Sequence, residues 1–499
     1  MDLLFLYAPC VILVVSSLYL LRLFTHARHN LPPGPRPWPL IGNLLDLGAQ
    51  PHRSLARLAQ RHGPLMTLHL GANTTVVASS PDAARDILQR HDAAFSGRSV
   101  PDIIRACAHD SMSMAWLPTS SPQWRALRKV CSAELFASHR LDAEQSFRRE
   151  KAHRLVTHVA RLAHEGVAVD VGRVVFMTVL NLISGTVFSA DLVDLDDGRG
   201  GPSWEFMDMM TEFATHSGVP NMSDFFPVVA PLDPQRLRRR QAKVFARLYA
   251  AFDQHIERRM RERAGGKPPK NDFLDVLLDY RAEDGQGFDR QTLWSLLADL
   301  FTAASDSSAA TVEWAMAELL ENPPSMAKVR EEIARVIGSK TEIEESDISQ
   351  LKYLQAVVKE TLRLHPPAPL LLPHQAETTT EVRGYTVPKG ARVLVNVWAI
   401  GRDNKVWRKP DEFMPERFLQ REVDFRGRDF DLVPFGSGRR ICPGMPLAVR
   451  VMHLMLASLL HRFEWTLPLD VERNGLDMAE KFGMVLTMAT PLQAIATPI

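Results

Sequence analysis

The chain has 499 residues, of which 45% are hydrophobic and 23% are charged, the composition of a globular protein with a full core. Its 59 Lys and Arg residues balance 58 Asp and Glu residues, so the basic footprint of a nucleic-acid-binding protein is missing. The four cysteines, Cys10, Cys107, Cys131 and Cys442, form no C-x-x-C pair. They therefore indicate neither a zinc site nor a dense disulfide framework, and they favour a reducing compartment.

The first segment of the chain is strongly apolar. Residues 3–21 carry no charge and have about the length, roughly 20 residues, that a membrane-spanning helix needs. Arg22, His26 and Arg28 follow, and this positive flank predicts that the rest of the chain lies on the cytosolic side. A cleaved signal peptide is the alternative, but the segment shows neither the positively charged start nor the small-residue cleavage site of a signal peptide. We expect a single uncleaved anchor over residues 1–24.

A basic, proline-rich hinge is predicted over residues 25–42, because its prolines fix φ and remove N–H donors. The remaining residues, 43–499, are expected to form one large domain. Two sequons, at Asn73 and Asn221, should stay free of sugar if that domain is cytosolic.

The body of the chain reads as mainly helical with a minor β portion. Residues 67–79 are β-branched and apolar around a central turn, which predicts a hairpin. Apolar residues at helical spacing predict a long helix over about 290–321 that ends before Pro323. Residues 384–390 and the strand-like residues 393–395 suggest a second small strand pair.

The most informative segment lies at residues 434–444, which read PFGSGRRICPG and precede an apolar helix predicted from Met445 to Phe463. Cys442 is thus placed near a helix N-terminus, where backbone N–H groups and the helix dipole favour a thiolate. A thiolate without a partner cysteine suits one bond to a metal or cofactor, and glycines permit close approach of a large flat group. A buried structural cysteine is the alternative.

This loop resembles the haem-binding signature of the cytochrome P-450 family, and further family motifs follow one another in family order along essentially the whole chain. The resemblance implies the cytochrome P-450 fold, mainly α with small β-sheets. It also implies a haem b cofactor (iron-protoporphyrin IX) with Cys442 as the iron ligand. Residues 43–499 would then be a haem-thiolate monooxygenase domain behind the N-terminal membrane anchor. The loop positions that match the signature are Phe435, Gly438, Arg440, Cys442 and Gly444.

Residues 303–308 of the predicted long helix, AASDSS, resemble the family's oxygen-activation segment. The resemblance implies that Asp306 and Ser307 are catalytic and relay protons. The segment departs from the family pattern because Ala304 replaces glycine and Ser307 replaces threonine. Serine keeps the hydroxyl but lacks the methyl group that restrains χ1. A buried polar pair without a catalytic role is the alternative.

Other matching positions imply contacts to the haem propionates and a structural charge cluster. Trp124 and Arg128 lie at i and i+4 on one helix face, and cationic donors suit carboxylates. The implied cluster that braces the core is Glu360, Arg363 and Arg417. The implied cofactor-binding set is Cys442, Trp124, Arg128, His374, Arg440, Phe435 and Gly438.

The resemblance implies hydroxylation of a hydrophobic small molecule with O2 and with electrons from NADPH–cytochrome P-450 reductase at the endoplasmic reticulum membrane. The amino-acid sequence of the candidate substrate-lining segments resembles the plant branch of the family that contains geraniol hydroxylases and cereal diterpene hydroxylases. We therefore expect a terpenoid substrate, with the labdane-related diterpenes among the candidates. A haem-thiolate isomerase or dehydratase that needs no O2, or a non-enzymatic haem-binding protein, is the alternative. Candidate steering cations for the reductase are Arg125, Lys129, Arg439 and Arg462. Candidate substrate-lining segments, all mostly apolar, are 103–116, 298–304, 368–372 and 482–486.

Overall fold

The computed structural model describes residues 30–197, 202–282, 285–338 and 340–499. The predicted anchor at 1–24 and the first part of the hinge, 25–29, lie outside the described residues. Helices dominate the described part and small sheets complete it, so the predicted fold class is confirmed.

α-Helices of six or more residues form most of the core of the described part. In chain order they are Pro51–His62, Pro122–Val130, Ser138–Ala143, Gln145–His164, Val171–Phe188, Pro202–Gly218, Leu237–Ala264, Phe273–Asp279, Arg290–Glu321, Pro323–Ile337, Lys352–Leu364, Met445–Arg462 and Leu469–Asn474. Shorter α-helical turns are Pro81–Arg85, Met222–Phe225, Glu345–Ile348, Val397–Ile400 and Arg417–Gln420.

The helix Arg290–Glu321, here called the long helix, runs through the middle of the core. The side chain of Asp289 caps its start by accepting the N–H of Thr292, and Pro323 follows shortly after its end. The predicted boundaries are therefore confirmed. The long helix packs against the helix Val171–Phe188, in which 78% of the residues are buried. Among the described residues, Val171–Phe188 alone is long and apolar enough to cross a membrane, but its burial on all sides marks it as a core helix.

Within the described residues, twelve short strands form four sheets. The largest has the order β1-β2-β8-β5-β3, in which β2 and β8 run parallel and the other neighbours are antiparallel. Two sheets have two strands each, β6-β7 and β10-β11, and one has the order β4-β12-β9. The strands are β1 Leu65–Leu70, β2 Asn73–Ala78, β3 Gly97–Arg98, β4 Val169–Asp170, β5 His374–Gln375, β6 Thr380–Val382, β7 Tyr385–Val387, β8 Arg392–Val395, β9 Phe463–Thr466, β10 Glu480–Lys481, β11 Thr487–Met488 and β12 Gln493–Pro498.

One predicted strand pairing is confirmed and one is wrong. β1 and β2 form the expected hairpin, in which Leu70 is paired with Asn73 across the turn. The strands predicted around residues 384–395 exist as β7 and β8, but they do not pair with each other. β7 pairs with β6 just before it, whereas β8 joins the largest sheet between β2 and β5. β8 is buried at three of its four residues, so pairing within the core sheet decides its place.

Candidate cofactor and active site

The loop around Cys442 is closed by its own backbone. The N–H of Cys442 donates to the carbonyl of Phe435 at 3.0 Å, and the helix Met445–Arg462, here called the cysteine helix, begins three residues later. Burial raises the pKa of the Cys442 thiol, whereas the backbone N–H groups of Gly444 and Met445 and the charge of Arg128 act in the opposite direction. The predicted position at a helix N-terminus is therefore confirmed, and these groups are the ones that stabilise a thiolate.

Gly438 is required by a close approach of two backbone segments. Its φ is +65°, and a Cβ atom at this position would lie 2.1 Å from the carbonyl oxygen of Leu88. Any larger residue would push the loop away from Leu88 and strain the backbone. The glycine at this position admits the protein's own chain, and the approach of the loop to a flat cofactor stays a prediction.

A cavity of about 660 Å³ lies beside Cys442. Its wall includes the helix Pro122–Val130, strand β5, the long helix and residues 434–444, here called the cysteine loop. Seven of the nine predicted site residues line it, whereas Asp306 and Gly438 are not part of its wall: the seven are Trp124, Arg128, Ser307, His374, Phe435, Arg440 and Cys442.

Three arginines in this wall, Arg98, Arg128 and Arg440, have no Asp or Glu within ion-pair distance in the described part of the chain. Burial lowers the pKa of Arg98 to about 9 and that of Arg440 to about 10, and it lowers the pKa of Arg128 as well. These arginines are half-buried, and cations withdrawn from water without counter-ions are costly, so the wall is built to receive an anion. A group that carries two carboxylates, as haem does, fits this donor set.

Main-chain carbonyls hold the side chains of this wall in place. Trp124 Nε1 donates to the carbonyl of Met114 at 3.1 Å, and Arg440 Nε donates to that of Ser96 at 2.9 Å. Arg98 Nη1 donates to the carbonyl of Leu372 at 2.8 Å. The guanidinium groups are thus oriented before any ligand binds.

Sequence reasoning missed Arg98. It lies on β3, which has only two residues, and it joins the wall because β3 pairs with β5 so that Arg98 lies opposite His374. No motif in the sequence marks this pairing between distant segments.

His374 is held as a hydrogen-bond donor through its Nδ1 atom, which lies 2.7 Å from the carbonyl oxygen of Phe95. Burial, with the charges of Arg98 and Arg440, lowers the pKa of His374 to about 3, so the ring is neutral in the protein alone. Its Nε2 atom donates to a carboxylate only when the ring carries both protons. A neighbouring carboxylate favours that protonated state.

The structure separates the two residues predicted to relay protons. Ser307 faces the cavity, and its Oγ atom donates to the carbonyl of Ala303 at 2.7 Å within the unbroken long helix. Asp306 lies on the adjacent helix face and is half-buried. Burial alone raises the pKa of Asp306 to about 7, so this carboxyl exchanges its proton near neutral pH.

The predicted charge cluster of Glu360, Arg363 and Arg417 is confirmed. Both Glu360 oxygens accept from Arg363, at 2.7 and 2.8 Å, and Glu360 Oε1 also accepts from Arg417 Nε at 2.9 Å. Glu360 and Arg363 are fully buried, and the terminal nitrogens of Arg363 also donate to main-chain carbonyls. The cluster does not line the cavity, so its role is structural.

Comparison with known proteins shows the family of the chain. The family model described as Cytochrome P450 matches residues 32–495. The chain is 46% identical over 500 residues to "Geraniol 8-hydroxylase" of Swertia mussotii, with 100% of both chains covered. It is 46% identical to "Geraniol 8-hydroxylase" of Catharanthus roseus, with 99% of this chain and 100% of the relative covered. It is 43% identical to "Ferruginol synthase" of Salvia miltiorrhiza, with 94% of each covered.

The fold and the single-cysteine site thus define a haem-thiolate monooxygenase. The chain belongs to the cytochrome P450 family. Its cofactor is haem b, and its electrons come from NADPH through a reductase. The predicted family, enzyme class and cofactor are confirmed.

Proposed function

We propose that this cytochrome P450 hydroxylates a terpenoid, with the labdane-related diterpenes among the candidates. The observation that carries this proposal is the cavity beside Cys442, whose wall is mostly apolar. All four segments expected to line a substrate pocket contribute to it: 103–116, 298–304, 368–372 and 482–486. Relatives named for geraniol hydroxylation and ferruginol synthesis support the same substrate class.

In this proposal Cys442 holds the haem iron, and Arg98, Arg128, Arg440 and protonated His374 hold the propionates. A thiolate ligand donates electron density to haem iron and thereby favours cleavage of the O–O bond. Trp124 is fixed beside these residues by its hydrogen bond to the Met114 carbonyl. Phe435 lines the cavity next to the cysteine, and Gly438 fixes the loop against Leu88.

Asp306 and Ser307 are assigned complementary parts of proton delivery. The Ser307 hydroxyl is exposed to the cavity, so it can pass a proton to a group bound there. The Asp306 carboxyl lies on the next face of the long helix, and its pKa of about 7 lets it take a proton from the outside and release it. The Ser307 hydroxyl donates to the carbonyl of Ala303, four residues earlier, so the serine holds its hydroxyl at the cavity wall.

We further propose that residues 1–24 anchor the chain in the endoplasmic reticulum membrane, with residues 43–499 in the cytosol beside the reductase. Lys129 is exposed on the helix Pro122–Val130 and is the better candidate for steering that acidic partner. Arg125 is exposed on the same helix, but it donates to the carbonyl of Ser120 at 3.2 Å. Arg439 is already paired with Asp92 at 3.1 Å, and Arg462 donates to a main-chain carbonyl.

The test is a reconstitution of the full chain with the reductase in vesicles, supplied with a panel of terpenoids. We expect hydroxylated product that requires both NADPH and O2. Product formed without either would instead identify the isomerase or dehydratase. A haem spectrum that no terpenoid shifts, with no product from any of them, would contradict the terpenoid assignment.

A further inference from the structure

Glu480 is a buried carboxylate that lies behind the cavity wall and is not part of it. Glu480 Oε2 accepts from Arg53 Nε at 2.7 Å and lies 3.1 Å from His52 Nε2. Glu480 Oε1 accepts from Trp398 Nε1 at 3.0 Å, and His365 Nδ1 lies 3.6 Å from it. Both oxygens are therefore held by several groups. These five residues are here called the Glu480 network.

The charges around Glu480 keep its carboxylate ionised. Burial raises its pKa, but the contacts with His365, His52 and Trp398 outweigh burial and hold the pKa of Glu480 well below its usual range. Arg402 lies 3.9 Å away and acts in the same direction. Because an ionised carboxylate only accepts hydrogen bonds, His52 carries a proton on Nε2 and donates it.

The Glu480 network joins strand β10 to helical segments from distant parts of the chain. These segments are the helix Pro51–His62, the turn Val397–Ile400 and the residue that follows the helix Lys352–Leu364. The main chain of the strand is held as well, because the carbonyl of Glu480 accepts from Gln50 Nε2 at 3.1 Å. Since β10 has only two residues, these contacts fix its position in the fold.

The connection between β10 and β11, residues 482–486, reaches the cavity. Its members Phe482, Gly483, Met484 and Val485 line the cavity wall. At its far end the N–H of Leu486 donates to the carbonyl of Pro367 at 2.9 Å. Its near end follows β10 directly and is held by the Glu480 network. Both ends of this part of the wall are thus tied to the body of the protein.

His52 links the Glu480 network to the cavity wall. Its ring is fully buried and stacks on the ring of Phe482, with 5.5 Å between the centroids and 17° between the planes. The same ring meets Trp398 edge-on at 5.2 Å. The main-chain carbonyl of His52 accepts from Asn396 Nδ2 at 2.8 Å, which fixes the residue further. Phe482 lines the cavity whereas His52 does not, so the network acts on the cavity through the ring of Phe482.

We propose that Glu480 and His52 are positioning residues that hold the ring of Phe482 in the cavity wall and thereby set the shape of the space beside the cofactor. A ring that is fixed from behind offers a ligand a rigid surface, so less conformational entropy is lost when the ligand binds. Without the network the ring is free to take other rotamers, and ligands that are large enough to touch it bind less well. This inference goes beyond the terpenoid proposal, because it applies to any ligand of that size.

The test uses two ligands whose imidazole nitrogen binds haem iron: imidazole itself and clotrimazole, which adds a bulky triaryl group. Dissociation constants are measured from the shift of the haem spectrum in the full-length haem protein. Glu480→Gln keeps the size of the side chain and removes its charge. His52→Gln keeps a donor and removes the stacked ring. Phe482→Leu removes the ring that the network holds.

We expect each variant to bind clotrimazole about twofold to tenfold more weakly, the loss expected for one aromatic contact, and to bind imidazole as before. His52→Gln combined with Phe482→Leu should bind clotrimazole no more weakly than Phe482→Leu alone. A residue that acts only by positioning Phe482 has no further effect once that ring is gone.

The matched control is Glu332→Gln. Glu332 is also buried, and its carboxylate accepts the main-chain N–H groups of Tyr353 and Leu354 at 2.8 and 3.0 Å. It is not part of the cavity wall. This variant should be less stable than the wild-type protein but should bind both ligands as the wild-type protein does.

Equal weakening of both ligands in Glu480→Gln and His52→Gln, or the same change in Glu332→Gln, would reduce the network to a structural role and overturn the proposal. Additive losses in the double variant would show that His52 does not act through Phe482. Unchanged or tighter binding of clotrimazole to Phe482→Leu would also refute it. If Glu480→Gln fails to retain haem, the comparison of His52→Gln with the double variant decides. Failure of the terpenoid panel leaves this test intact, since neither ligand is a terpenoid.

Discussion

The guanidinium of Arg440 lies over the ring of Trp124, 5.2 Å from its centroid, and both side chains donate to the same main-chain carbonyl, that of Met114. Arg440 also donates to the carbonyl of Leu117, at 2.5 Å, so it ties the cysteine loop to the segment before the helix Pro122–Val130 at two main-chain carbonyls. This arrangement places a cation at the cavity wall before the cofactor binds.

The first prediction concerns retention of the cofactor. Arg440→Leu and Arg98→Leu should each speed the transfer of haem to apomyoglobin by about tenfold or more, because a charge-assisted bond contributes roughly 1.5–3 kcal/mol. Arg439→Leu is the control, since Arg439 is 41% exposed and paired with Asp92. Transfer rates that are the same for all three variants would show that the wall does not hold the propionates.

The second prediction concerns Asp306. Asp306→Asn should slow oxidation by about tenfold or more while the haem spectrum is retained, because the variant cannot release a proton. Steady-state oxidation with the reductase, alongside the spectrum, measures both effects. Wild-type turnover in the variant would remove Asp306 from the proton path.

The same carboxyl should also affect stability. Its pKa rises from 3.8 to about 7 on folding, so the folded protein binds the extra proton between these pH values. The contribution of this carboxyl to the free energy of unfolding is fully present below about pH 4 and is lost as the pH rises through about 7. Asp306→Asn should remove this part of the decline in stability with pH. Glu313→Gln is the control, since burial also raises the pKa of Glu313 to about 7 and this residue lies outside the cavity wall. It should flatten the pH dependence of unfolding without slowing oxidation.

The third prediction concerns the buried charge cluster. Glu360→Ala should lower the free energy of unfolding by about 3–5 kcal/mol, because Arg363 would be left buried without its carboxylate. Lys409→Ala removes an exposed ion pair with Glu412 nearby and should cost about 1 kcal/mol or less. Chemical denaturation compares the two, and equal losses would show that the cluster has no special structural role.

The fourth prediction concerns the modular anchor. Removal of residues 1–28 should leave a more soluble chain that still binds haem. Asn30, the first residue that the structure describes, is already tied to the body by its bonds to Gly384 and Thr386. Haem content and sedimentation of the truncated protein measure this, and a truncated chain without haem would contradict the division at the hinge.

Asn221 can no longer serve as a test of membrane topology. Asn221 is only 3% exposed, and its side-chain oxygen caps the turn that follows. Burial alone would keep this sequon bare in the folded protein on either side of a membrane. The half-buried Asn73 is the more useful of the two sequons.

The parts of the site that sequence could predict are those defined by local spacing. The cysteine loop and the long helix fall within one segment each, so their residues and bounds follow from neighbouring residues. Arg98 could not be predicted, because its place depends on the pairing of β3 with β5. The predicted pairing of β8 with β7 was wrong for the same reason, because burial of β8 in the largest sheet outweighs its proximity to β7 along the chain.

The bond from Cys442 to haem iron is tested most directly by the absorption spectrum of the reduced carbon monoxide complex of the purified full-length protein. We predict the long-wavelength band of a thiolate-ligated haem, and its loss in Cys442→Ala. A colourless protein, or a band like that of a histidine-ligated globin, would contradict the assignment of Cys442 and the chemistry that depends on it.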